Sequence, residues 1–190
     1  MSTLIKPFHL TPFEKNINGK ANVNWDDTIS YVNDRNNGTE KWDDIRWAHY
    51  GCRVYNNANI SVVTSGVSQA LTFNSERYDD LNMHDTTLNT SRLIAPRDGV
   101  YNIFGHIEYD SNATGQRFAI VSFNGTKDIA ISSMSALGGG YATYCSVATN
   151  YFLQSGEYVE LIALQTSGGS LNVLASSDRS PEFGMFYVGE

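Results

Sequence analysis

From about residue 43 onward the chain alternates between short runs rich in apolar residues and polar turns. The runs are DDIRWAHYGCRVYN, SVVTSGVSQALTFNS, GVYNIFGHIEYD, QRFAIVSFNGTKDIAISS, YATYCSVATNYFLQ, GEYVELIALQTSG and EFGMFYVGE. Aromatic and β-branched residues dominate them, and Asn-Gly, Ser-Gly and Asp-Gly pairs punctuate them, as in antiparallel strands joined by tight turns. Nothing between them has the length or period of a crossover helix. A sandwich or barrel of antiparallel sheets is therefore expected. SVVTSGVSQALTFNS divides into two short strands around Gly66, and ERYDDLNMHDTTLNTS reads as a polar loop.

One strand departs from simple alternation. In GVYNIFGHIEYD, Tyr101, Ile103, Ile107 and Tyr109 share the face that should fill the core. The other face carries Val100, Phe104, His106 and Glu108. In the last strand Phe183, Met185 and Tyr187 face one way, while Phe186 and Val188 face the other. A two-sheet sandwich covers each sheet on one side only, so large apolar groups on the second face call for another copy of the chain. An oligomer is expected, with Phe104, His106, Glu108, Phe186 and Val188 in its interface.

Residues 1–42 read differently. MSTLIKPFHLTPF, with two prolines, suits an extended arm. In NWDDTISYVNDRNNG, Trp25, Ile29 and Val32 fall at helical spacing, Asn24 with Asp27 resembles a capping box, and Asn37-Gly38 ends the run. A helix of about three turns is marginal alone in water. It must dock, either on its own domain or on a neighbouring assembly, through Trp25, Ile29 and Val32. The expected division is an attachment region, 1–42, and a β domain, 43–190.

The chain of 190 residues is long enough for one sizeable core. Its net charge of −7 opposes nucleic acid or an anionic membrane surface as partner. No apolar stretch approaches 18 residues, and no basic-then-apolar leader opens the chain, so neither membrane insertion nor secretion is expected. Cys52 and Cys145 are too few for a disulfide framework; each lies in a strand-like run, which favours buried thiols over a single disulfide. The glycosylation-type triplets at Asn37, Asn59, Asn89, Asn112 and Asn124 follow from an Asn- and Thr-rich composition.

Catalytic patterns are missing from the sequence. His9, His49, His84 and His106 form no close metal pair, no GxSxG elbow occurs, and LGGGY at 137–141 lacks the GK[ST] of a phosphate cradle. No enzyme and no obligate cofactor are expected. Glu76, Asp79, Asp80 and Asp85, with Asn82, offer oxygens that would suit calcium, although an acidic loop is more often merely solvated. His106 and Glu108, two apart on one face, could cluster about a symmetry axis as a metal or pH-sensitive site; a hydrogen-bonded interface histidine is the simpler reading. Loops 76–92, 110–116 and 134–143, with Tyr78, Asn82, Asn112 and Tyr141, carry the stacking and hydrogen-bonding groups that suit a glycan.

Taken in order, LTFNSERYDDLNMHD, SRLIAPRDGVYNIFGHI, FNGTK, YFLQSGEYVELIAL and EFGMFYVG resemble the globular domain of complement C1q and its tumour-necrosis-factor-like relatives. The matching residues are Phe73, Tyr78, Asp79, Ala95, Pro96, Gly99, Tyr101, Ile103, Asn124, Gly125, Leu153, Gly156, Val159, Leu161, Phe183 and Gly184, within about 46–190. Ile94 stands where an aromatic is usual, and Glu157 replaces the aspartate of a Gly-Asp turn. The resemblance implies a ten-stranded antiparallel jelly roll that forms a homotrimer, a non-enzymatic binding or assembly module, and calcium in some members. Animal members of that family are usually secreted, often behind a collagen-like stalk, and this chain has no Gly-X-Y repeat. Its FEKNINGKANVNWDDTISYVN segment instead resembles the attachment regions that precede trimeric domains in bacteriophage head and tail fibres. The leading expectation is a virion surface protein, made in the host cytoplasm and bound to capsid proteins as a decoration or head-fibre module. A tail adhesin that recognises a host-surface glycan or protein is the second expectation, and a cellular C1q-like binding protein the third.

Overall fold

The computed structural model describes residues 51–62, 65–176 and 178–189. The expected arm, the helix with Trp25, Ile29 and Val32, and residues 43–50 lie outside them. The described residues carry twelve strands and no helix: β1 (Gly51–Tyr55), β2 (Ile60–Val62), β3 (Gln69–Ala70), β4 (Ser75–Asp79), β5 (Arg92–Ile94), β6 (Gly99–Tyr109), β7 (Gln116–Phe123), β8 (Lys127–Ser135), β9 (Thr143–Leu153), β10 (Tyr158–Gln165), β11 (Leu171–Val173) and β12 (Glu182–Gly189). Four of them are pieces of two or three residues, which is why the count exceeds ten. Strand β4 takes the ERYD of the segment expected to be a loop, and the β11–β2 pairing was not visible in the sequence pattern.

Every pairing is antiparallel. The larger sheet runs β9-β6-β12-β1-β4, with β11 and β2 added beside the far end of β6. The smaller has β8-β7-β10, with β3 and β5 both on the outer edge of β10. The β7–β8 hairpin turns at Asn124 and Gly125, both with positive φ (48° and 65°), and the Thr126 N–H donates to the Phe123 carbonyl at 3.1 Å. Two successive positive φ values define the turn whose twist matches that of the strands, and Asn-Gly is the pair that best tolerates them.

The core forms where alternate residues of the two sheets meet. Tyr101, Ile103, Ile107 and Tyr109 of β6 and Phe183 and Met185 of β12 are buried, as their spacing requires. They face Ala119 and Val121 of β7 and Val159, Leu161 and Ala163 of β10, with Leu71, Phe73 and Met83 closing one side. At Gly105 the sheets approach closely: an added Cβ would lie 2.5 Å from Leu161 Cδ1. The Tyr109 hydroxyl is satisfied inside the core, donating to the Phe118 carbonyl at 2.6 Å and accepting from the Leu164 N–H at 3.1 Å.

Both cysteines are free and buried in this core. Burial pushes the Cys145 thiol up to about 11, with Arg117 opposing, and raises Cys52 further, with the Asp79 charge adding to the effect. Thiolate is the reactive form. A disulfide-exchange reagent at pH 8 should therefore label neither cysteine in the folded protein and both in denaturant. Rapid labelling of native protein would place a thiol outside the core.

Candidate functional site on the outward face of the larger sheet

The second face of β6, β9 and β12 is built by the same alternation that fills the core. Its cross-strand rows run Phe152–Val100, then Asn150–Asn102–Phe186, then Ala148–Phe104–Gly184–Arg53, then Ser146–His106–Glu182–Tyr55, and finally Tyr144–Glu108. Toward the Gly99 end the face is apolar, and Phe152 (52 %), Phe186 (42 %) and Val188 (58 %) are exposed. Gly184 is required here: an added Cβ would lie 2.4 Å from Phe104 Cζ, so the Phe104 ring rests across β12 only because no side chain stands there. Asn102 donates to Asn150 at 2.7 Å, joining β6 to β9 across the same surface.

Toward the Tyr109 end the face is charged. Glu182 is fully buried, and its carboxylate is held by two arginines. Oε2 accepts from Arg53, while Oε1 accepts from Arg77 Nη2 at 2.9 Å and Nε at 3.1 Å. Arg77 also meets Asp178 at 3.2 Å and lies over the Tyr55 ring at 4.2 Å. Glu108 is buried too: it accepts from the Tyr144 hydroxyl at 2.8 Å and from Arg179 Nε at 3.4 Å. Burial alone would raise the Glu108 carboxyl, but the hydroxyls of Ser176 and Tyr144 together with Arg179 hold it below the ordinary carboxylate range. His106 Nδ1 lies 3.0 Å from Ser146 Oγ. Between these groups opens a cleft of about 180 Å3, lined on its polar walls by Arg53, His106, Tyr144, Ser146, Asp178 and Arg179.

Of the residues expected at an interface, Phe104, His106, Phe186 and Val188 lie on this face with partly or fully open side chains. Glu108 shares the face, but its carboxylate is engaged within its own chain. Strand parity could have added Phe152 and Tyr144, since Cys145, Val147 and Leu153 between and beside them point inward. No sequence signal marked Arg53, Glu182 and Arg179 as one network.

Three of the four acidic residues considered for calcium, Glu76, Asp79 and Asp85, are directed at neighbouring donors. Asp79 accepts from the N–H groups of Met83 (2.9 Å) and His84 (3.0 Å), and Glu76 faces His84 Nδ1 at 2.9 Å. Asp85 accepts from the N–H and hydroxyl of Thr87 and the N–H of Leu88, which lowers its carboxyl below the ordinary range. Asp80 N–H donates to the Gly51 carbonyl. Among the described residues, no group of three or more His, Cys, Asp and Glu side chains is placed to hold a metal ion.

The four glycan candidates do not converge. Tyr78 lies within β4 rather than in a loop, and Asn82 follows that strand at the Gly99 end of the sandwich. Asn112 and Tyr141 belong to loops at the opposite end, which are joined by the Ala136 N–H donating to the Gly115 carbonyl at 3.0 Å. Arg117, unforeseen in the sequence and fully buried, holds the first of these loops. It donates to the carbonyls of Asn112 (2.9 Å), Thr114 (2.9 Å) and Gln116 (3.0 Å).

The sequence matches no protein-family model and no curated protein sequence. The fold does have counterparts among solved structures. The tumour necrosis factor Eiger from S. frugiperda superposes with a TM-score of 0.58 at 13 % identity, over 75 % of this chain and 94 % of that one. Murine APRIL gives 0.56 at 12 %, over 74 % and 99 %. The globular domain of zebrafish complement 1qA gives 0.50 at 13 %, over 73 % and 96 %. At such identities the likeness defines the fold, a C1q/TNF-like jelly roll.

Proposed function

We propose that the chain is a non-enzymatic homotrimeric binding module, fastened to a virion by residues 1–42. The observation that carries the trimer is the apolar half of the outward face, with Phe104, Phe152, Phe186 and Val188 beyond the reach of their own core. A second, unlike apolar position is exposed on the outer face of the smaller sheet, where Ile131 of β8 (60 % exposed) pairs with Ile120 of β7. Two unlike apolar surfaces on one protomer fit a head-to-tail contact, which gives a ring when its rotation closes and not a two-fold dimer. Three copies per ring is the number the C1q and tumour-necrosis-factor resemblance implies. The virion assignment rests on the fibre-like sequence of 13–33.

Deletion of residues 1–42 tests the attachment role. The truncated protein should keep its fold and its mass per assembly, yet fail to bind capsids that the full chain decorates. Undiminished capsid binding would overturn the assignment. A receptor-binding tip is the second reading, favoured by the paired 110–116 and 134–143 loops and by Tyr141, which is 70 % exposed. Under that reading the truncated protein retains binding to host-surface glycan.

A further inference from the structure

The cleft at the charged end of the outward face has a composition that the fold does not require. Both buried carboxylates beneath it are already saturated by internal donors. Glu182 holds Arg53 on one oxygen and Arg77 on the other, and Glu108 holds Tyr144 on one and Arg179 on the other. The groups left over are donors. Arg53 uses Nε and Nη2 on Glu182, which leaves Nη1. His106 Nδ1 lies against Ser146 Oγ, which leaves Nε2, a donor in the tautomer whose Nδ1 accepts from the serine hydroxyl. Arg179 uses Nε on Glu108, and its side chain is 68 % exposed. Asp178 is the one acid on the rim; it meets Arg77 and is 89 % exposed.

From this arrangement we infer that the cleft is a binding site for a carboxylate group. Donors on its floor and walls face an acceptor-poor space of about 180 Å3, roughly tenfold what a single water needs. Guanidinium forks match planar carboxylates, giving the stronger, charge-assisted class of hydrogen bond. The formal charges around the cleft balance: Arg53, Arg77 and Arg179 stand against Glu182, Glu108 and Asp178. Hydrogen-bond complementarity rather than excess positive charge therefore selects the ligand, and this favours a monoanionic carboxylate over a phosphate dianion. The carboxylate can come from a free acidic saccharide or from a side chain of an adjacent copy, because the cleft borders the apolar half of the same face. Binding of a free carboxylate does not depend on the trimer; only the neighbouring-copy source rests on that reading.

Titration calorimetry of the full chain with glucuronate, glucose and inorganic phosphate tests it. Glucuronate should bind, glucose and phosphate should not, and Arg179→Ala should weaken glucuronate about tenfold, the loss of one charge-assisted bond. Ser146→Ala, a small change at an exposed position, should weaken it less and guards against a folding artefact in the first variant. If a neighbouring copy supplies the carboxylate, glucuronate gives no heat, but Arg179→Ala lowers the association constant about tenfold, and added acetate dissociates the wild type likewise. Equal binding of glucose and glucuronate overturns the inference. So does the lack of glucuronate binding together with unchanged association of Arg179→Ala. A monomer that binds glucuronate would remove the trimer and leave the cleft standing, whereas a trimer indifferent to carboxylate and to Arg179 would do the reverse.

Discussion

Replacing Phe186 by glutamate is expected to reduce the solution mass from about three chains of 21.0 kDa to one. Phe186 sits at the centre of the apolar half of the outward face, opposite Asn102 on one side and Gly51 on the other. An added Cβ at Gly51 would lie 2.7 Å from the Phe186 Cβ, so only glycine fits beside Phe186 on β1. A carboxylate at this point would have to leave water on assembly without a partner, once per copy, and an unpaired buried charge costs several kcal/mol or prevents association. The side chain contributes nothing to the core, so the monomer should remain folded, with stability within about 0.5 kcal/mol of the wild-type protomer. Light scattering coupled to size exclusion reads the mass, and circular dichroism reads the fold. A variant that remains trimeric would show that the face is not the contact.

Three residues earlier on the same strand, Phe183→Ala should do the opposite. Phe183 points inward, is fully buried, and stacks on Phe73 with ring centroids 5.9 Å apart. Truncation removes the transfer free energy of the ring and leaves a cavity between well-packed sheets, a loss of about 3–5 kcal/mol. For a domain of this size that corresponds to a drop in melting temperature of about 6–20 °C. Oligomeric state at low temperature should be retained. A loss below about 1 kcal/mol in denaturant unfolding would mean that the two sheets do not meet at this ring.

The contrast between these two positions was legible in the sequence, because it follows from period-two alternation. The same holds for Tyr101 and Ile103 against Val100 and Phe104, for the Asn124-Gly125 turn, and for the burial of both cysteines. Arg117 shows the limit of such reasoning. By parity it belongs with Ala119 and Val121 on the inward face, where a cation looks misplaced. It is accommodated only because the 112–116 segment folds back and presents three carbonyls to it. The calcium candidates fail to assemble for a related reason. An oxygen-rich run such as ERYDDLNMHD suits a metal and suits its own N–H groups equally well, and in the folded loop Asp79 and Asp85 bind the latter.

By itself the sequence determined the antiparallel class, the core faces of β6 and β12 and the existence of a second apolar face. Those are properties of one strand at a time, set by side chains pointing to alternate sides of a pleated backbone. The charged half of the outward face was decided only by tertiary structure. Arg53 and Glu182 are 129 residues apart, Arg77 and Glu182 are 105 apart, and Arg179 and Glu108 are 71 apart. Until β1, β4, β6 and β12 are in register, each reads as an ordinary surface charge. Which charge meets which carboxylate depends on that long-range register, and the donors left over, which line the cleft, depend on it as well.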